Sequence, residues 1–109
     1  MSTQPPPQNP RDKLRSFAPK LIELTETVLF GDVWERPGLS KRDRSLITVA
    51  ALVALNREQQ LRSHLVRALD NGVTQDELIE LFTHLAFYSG WPTGVSAALL
   101  AKDVFEARK

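Results

Sequence analysis

The sequence predicts an all-α protein, a compact bundle of about five helices with no sheet. Three observations carry this. Apolar residues recur at three- and four-residue intervals through most of the 109 residues. Capping residues precede several of these runs, and Asn or Gly follows them. No stretch shows the strict alternation or the hairpin turn chemistry of strands.

Each element has its own signal. Met1 to Pro10 holds four of the seven prolines, mixed with Gln, Ser, Thr and Asn. This composition predicts a disordered tail over residues 1–10, leaving 11–109 as a single helical domain. From Arg11, the residues Leu14, Phe17, Leu21, Leu24 and Val28 mark a first helix ending near Gly31. Asp32 to Leu39 reads as a loop with a turn at Pro37-Gly38. Ser40 is the expected N-cap of a second helix, with Asp43 three residues on as in a capping box. That helix runs to about Leu55 and is apolar on most faces from Leu46, so neighbours should cover it on more than one side. Asn56 breaks it. A third helix spans about Arg57 to Asp70 with Leu61, Leu65 and Leu69 as its stripe, and Asn71-Gly72 ends it. Thr74 and Glu77 form a capping box for the fourth helix, which carries Leu78, Leu81, Phe82, Leu85 and Ala86. Ser89-Gly90 closes it. Pro92 and Thr93 open the fifth, with Val95, Ala98, Leu99, Ala101 and Phe105 expected to face inward. Short links favour antiparallel neighbours.

Apolar residues exceed what a monomer of this size needs. At about 100° per residue, Phe87 falls about 140° from Phe82, on the far side of the fourth helix. Together with the apolar second helix, this points to subunit packing.

Composition excludes several classes of chemistry. There is no cysteine, so disulfides, thiolate nucleophiles and Cys-ligated metals are ruled out. A formal charge of +1 gives no basis for a nucleic-acid partner. The chain lacks the apolar run of a signal peptide or a membrane span, which makes cytoplasmic residence the default expectation. No HxxxH or HExxH pair supports a metal site. Ser63 beside His64 is not a hydrolase arrangement, because adjacent side chains on a helix diverge.

The remaining polar groups are few. His64 lies just off the Leu61-Leu65 stripe, and His84 lies one turn from Tyr88, within side-chain reach. Glu35, Arg36, Lys41, Arg42, Asp43 and Arg44 crowd the entry to the second helix. Cations in a first helical turn oppose the helix dipole, so they need pairing with Asp43 and Glu35 or an external anion. Arg44 adjoins the apolar run and can offer a two-pronged grip to a carboxylate. Trp34 can roof such a site with apolar area and an indole N–H.

These segments resemble the carboxymuconolactone decarboxylase family. The likeness is carried by G-D-x-W-x-R-P-G-L at Gly31 to Leu39, R-S-L-x-T-x-A at Arg44 to Ala50, and H-L at His64-Leu65. It continues through N-G-V-T at Asn71 to Thr74 and H-x-A-x-Y-x-G-x-P at His84 to Pro92. The resemblance implies an all-helical, alkylhydroperoxidase D-like fold and a homo-oligomer, a trimer or a hexamer. The redox branch of that fold carries C-x-x-C-x-x-x-H. Here His64 takes the last position, and Arg57 and Gln60 stand where the cysteines would be, so thiol redox chemistry is lost.

The implied activity is cofactor-independent decarboxylation of a small carboxylated lactone, 4-carboxymuconolactone, to the enol-lactone of 3-oxoadipate. The alternatives are another lactone or keto-acid, or a non-catalytic helical oligomer. The implied roles are Arg44 for a substrate carboxylate, with Arg36 as a second candidate, and His64 or His84 as proton donor. Tyr88 would orient His84 or donate to the lactone oxygen, Glu35 would hold an Arg, and Trp34 or Trp91 would line the pocket.

Overall fold

The computed structural model describes residues 10–108, and among them there are helices and turns but no strand. The tail expected over residues 1–10 lies outside the described residues except for Pro10, which opens a helix. The chain forms two compact units, residues 1–38 and 39–109.

In the first unit the expected long helix is broken. A short α1 (Pro10–Leu14) is followed by a turn, and α2 (Pro19–Leu24) starts afresh. Pro19 sits at the first helical position and biases Ala18 away from helical backbone, and Ala18 takes φ −133° and ψ 68°. α2 then widens into one π turn over Thr25–Leu29, where the Phe30 N–H donates to Thr25 O at 3.0 Å. The break and the bulge together disrupt the expected stripe. Ile22 is the buried residue of α2, whereas Phe17, Leu21, Leu24 and Val28 are exposed. Arg15 grips Glu26 with its two terminal guanidinium nitrogens, each at 2.9 Å. The predicted loop contains a 3-10 turn over Val33–Glu35.

The second unit is a four-helix arrangement of α3 (Lys41–Ala54), α4 (Glu58–Asp70), α5 (Gln75–Tyr88) and α6 (Trp91–Ala107). α3 packs on α4 and α5, and α6 packs on α5 and α4. Ser40 caps α3 by accepting the Asp43 N–H at 3.0 Å. Thr74 and Glu77 form the complete capping box of α5. α3 and α4 both end in Schellman motifs. Asn56 adopts φ 58°, and Arg57 N–H reaches back to Leu52 O at 2.9 Å. Gly72 adopts φ 100°, and Val73 N–H reaches Ala68 O at 2.9 Å. Both turns need a left-handed residue, which Asn tolerates and Gly adopts freely.

The core runs through all four helices. α3 contributes Val49 and Val53, α4 contributes Leu61, Leu65 and Ala68, and α5 contributes Leu78 and Phe82. α3 is less covered than expected: Ile47 and Leu55 are exposed on its outer side. On α4, Ala68 takes the fully buried place expected for Leu69.

The predicted stripe of α6 holds at Ala101 and Phe105 and fails nearer the start of the helix. Gly94, Ala97, Ala101, Val104 and Phe105 face inward, while Val95, Ala98 and Leu99 are exposed. The cause is close approach to α5. A Cβ on Gly94 would stand 2.8 Å from Ala86 Cβ and 3.0 Å from Phe82 O. Only small residues at this crossing let the two backbones come this near, and the neighbouring Val95 and Leu99 turn outward.

α3 and α5 are also tied by charge. Arg42 Nη2 donates to Glu77 Oε2, while Glu77 Oε1 accepts the Thr74 N–H at 2.9 Å. The Thr74 backbone bond and then Arg42 hold the Glu77 carboxyl below its ordinary value of 4.5. An unfolded Glu77 binds protons more readily than the folded one. The stabilisation is therefore present above the ordinary value and is lost as pH falls through the lowered one. Glu77→Gln is expected to flatten the acid limb of a plot of melting temperature against pH. A limb that keeps its slope would rule out this carboxyl as a contributor.

Candidate active site

The entry to α3 sets several side chains in place. Arg44 is half-buried with its Nε enclosed, and Thr48 Oγ1, one turn on, bonds back to Arg44 O at 2.8 Å. The next residue, Ser45, is fully buried, and its Oγ accepts from Asn71 Nδ2 at 2.9 Å. This bond ties the start of α3 to the residue that caps the end of α4. Arg42, also from the predicted cluster, is directed instead to Asp43 and Glu77.

His64 sits midway along α4 on the flank of the Leu61-Leu65-Ala68 stripe, half-buried with Nδ1 enclosed. Burial, and then the charge of Arg67, push its pKa below the ordinary 6.5. Both effects favour the neutral imidazole over the charged one. Sequence patterns passed over Arg67. Its one available signal was the i,i+3 spacing to His64, which places the two side chains together. Arg67 lines an open recess of ≈ 350 Å³ on α4 with Ser63, Val66, Asp70 and Asn71.

His84 and Tyr88 do meet, as their spacing predicted, with rings stacked at 4.7 Å. Both are exposed. Phe87 and Trp91 pack edge to face at 5.6 Å and are also exposed, so Trp91 stands on an outer aromatic cluster. In the first unit Trp34 is buried and lies 5.7 Å from the Phe30 ring, which Arg11 covers at 5.0 Å. Glu35 and Arg36 close the 3-10 turn and are exposed. Among the described residues, no three His, Asp or Glu side chains gather where they could hold a metal ion.

Arg44 stands on α3, and His64 and Arg67 on α4, two helices that pack against each other, while the recess that Arg67 lines includes neither His64 nor Arg44. The structure leaves His84, Tyr88 and Trp91 on an outer face. Fold and site together define an all-helical protein whose second unit carries guanidinium groups and a half-buried imidazole at the edge of its core.

Residues 19–103 match the Carboxymuconolactone decarboxylase family, and the chain belongs to that family. It is 42% identical over 95 residues to 4-carboxymuconolactone decarboxylase of Acinetobacter baylyi, covering 87% of this chain and 71% of that protein. It is 35% identical over 80 residues to nitrosuccinic acid decarboxylase of Metarhizium robertsii, covering 73% of this chain and 56% of that one. An uncharacterised 15.0 kDa protein of Paracoccus denitrificans is 31% identical over 78 residues, covering 70% of this chain and 58% of its own length. The chain therefore spans less than two thirds of the last two relatives.

Proposed function

We propose that this chain, a decarboxylase of its family, converts 4-carboxymuconolactone to the enol-lactone of 3-oxoadipate without a cofactor. The carrying observation is the pairing of elements. Arg44 and His64 stand on packed helices, each half-buried with one enclosed nitrogen. The relative from Acinetobacter supports the substrate.

The chemistry needs little more than such groups. The carbon–carbon bond to the departing carboxylate breaks, carbon dioxide leaves, and the electron pair flows through the ring double bond into the lactone carbonyl. Arg44 binds a substrate carboxylate, and its charge favours the dienolate oxygen. The imidazolium of His64 then gives its proton to carbon and is recharged from water. Burial makes that imidazolium a stronger acid, and an arriving anion promotes its formation. His84 with Tyr88 is the second candidate for this step, set in more open surroundings.

Nitrosuccinic acid, named for the Metarhizium relative, favours a second reading: a different small acid whose carbanion is stabilised by a neighbouring acceptor group. Turnover of 4-carboxymuconolactone, followed by loss of lactone absorbance, separates the two. Absence of turnover by folded protein would overturn the first. Arg44→Lys keeps the charge but loses the planar fork, so KM should rise about tenfold or more. An unchanged KM would remove Arg44 from carboxylate binding.

The same reading includes a cytoplasmic homo-oligomer, a trimer or a hexamer. Exposed Phe87, Trp91, Leu99 and Leu55 support assembly. Sedimentation of the pure protein as a monomer at micromolar concentration would contradict it. Among the described residues, no helix is long and apolar enough to cross a membrane.

A further inference from the structure

We propose that a second copy of this chain packs by two-fold symmetry on the outer face of α5 and α6, with the aromatic knob of each copy, Phe87 and Trp91, seated in an apolar recess of the other. This rests on the homo-oligomer reading above and deepens it. A two-fold axis is absent from a ring of three and present in a hexamer of two stacked rings.

Four observations lead to it. The knob is exposed: Phe87 and Trp91 pack edge to face at 5.6 Å, yet remain 76% and 61% exposed. A matching hole opens between the same two helices. It is a recess of ≈ 350 Å³ whose lining includes Ile79, Phe82, Ala98, Ala101, Lys102 and Phe105. Knob and hole lie on one side of the helix pair. Trp91, Val95, Ala98 and Lys102 follow one another at four- and three-residue steps and form one stripe of α6, and Ile79, Thr83 and Phe87 do the same on α5. The knob stands at one end of these stripes and the recess at the other, about 10–20 Å apart along α6. An axis between them, close to Val95, lays the helix pair of one copy antiparallel on that of its partner, and each knob then meets the other's hole. The area fits as well. Two aromatic rings of about 150–250 Å² each, with exposed Ile79, Val95 and Leu99 beside them, give a face of roughly several hundred Å². That exceeds what a monomer usually shows and approaches the ~800 Å² that each partner contributes to a stable interface. Charge does not oppose the contact. α6 carries no charged residue from Trp91 to Ala101, and Lys102 at the recess is paired with Glu106 at 2.9 Å. Two copies of this stripe therefore meet without like charges opposed.

The test uses the full chain, with sedimentation for mass and a cysteine for contact. Trp91→Glu should halve the sedimenting mass of the assembly. Trp91 opens α6, where a glutamate suits the helix dipole, so the substitution spares the fold of the chain itself, and a melting curve checks this. The chain has no cysteine, so Val95→Cys carries a single thiol. Beside a two-fold axis that thiol meets its own counterpart, and a short bis-maleimide should join most chains into covalent pairs without changing the native mass. In an assembled parent, an unchanged mass in folded Trp91→Glu, or the absence of covalent pairs in Val95→Cys, overturns this interface and leaves the homo-oligomer reading standing. If Trp91→Glu does not fold, the cysteine pair decides alone. A parent that sediments as a monomer at micromolar concentration overturns both. Lactone turnover bears on neither result.

Discussion

His64→Gln is expected to lower kcat for the lactone by about 10²–10⁴-fold, the usual worth of a positioned proton-transfer group. His84→Ala should stay within a few-fold of the parent. The difference follows from surroundings. His64 is half-buried with an enclosed Nδ1, whereas His84 is exposed and stacked on Tyr88. The pH profile gives a second check. Because burial and Arg67 hold the imidazole below its ordinary 6.5, the acid form predominates only below that value. The parent's kcat/KM should therefore fall as pH rises through an apparent value under 6.5, and the profile should flatten in the His64 variant. A folded His64→Gln protein within threefold of the parent at every pH would remove this imidazole from the reaction.

The second large effect is on stability. Leu65 is fully buried at the centre of the α4 stripe, where α3 and α6 both pack. Leu65→Ala removes that side chain and leaves a cavity, a loss of about 2–5 kcal/mol. Small domains are stable by only about 5–15 kcal/mol, so much of the margin would go. The melting temperature should drop by about 10 °C or more. A drop of less than about 2 °C would mean that the stripe is not where the core is tightest.

Local chemistry was legible where it acts over a few residues. Ser40 and Thr74 capped the helices they precede, because a hydroxyl beside free N–H groups needs no tertiary partner. Asn56 and Gly72 ended α3 and α4, because few residues accept a positive φ. Pro19 was equally legible, yet an unbroken apolar period masked it, and the first helix is two. Spacing brought His84 to Tyr88, since a single helix turn needs no further information. Spacing said nothing of how exposed that pair would be.

The sequence by itself determined the helical class, the caps and stops of the second unit, and the absence of thiol chemistry, because each depends on residue type and short-range geometry. Only the tertiary structure decided that Gly94 draws α6 onto α5 and turns Leu99 outward, that Ser45 and Asn71 lock α3 to α4, and that Arg67 bears on a half-buried His64. The reason is physical. Which face of a helix is buried, and what charge a side chain feels, depends on the distances to other helices, and no periodicity within one helix contains them.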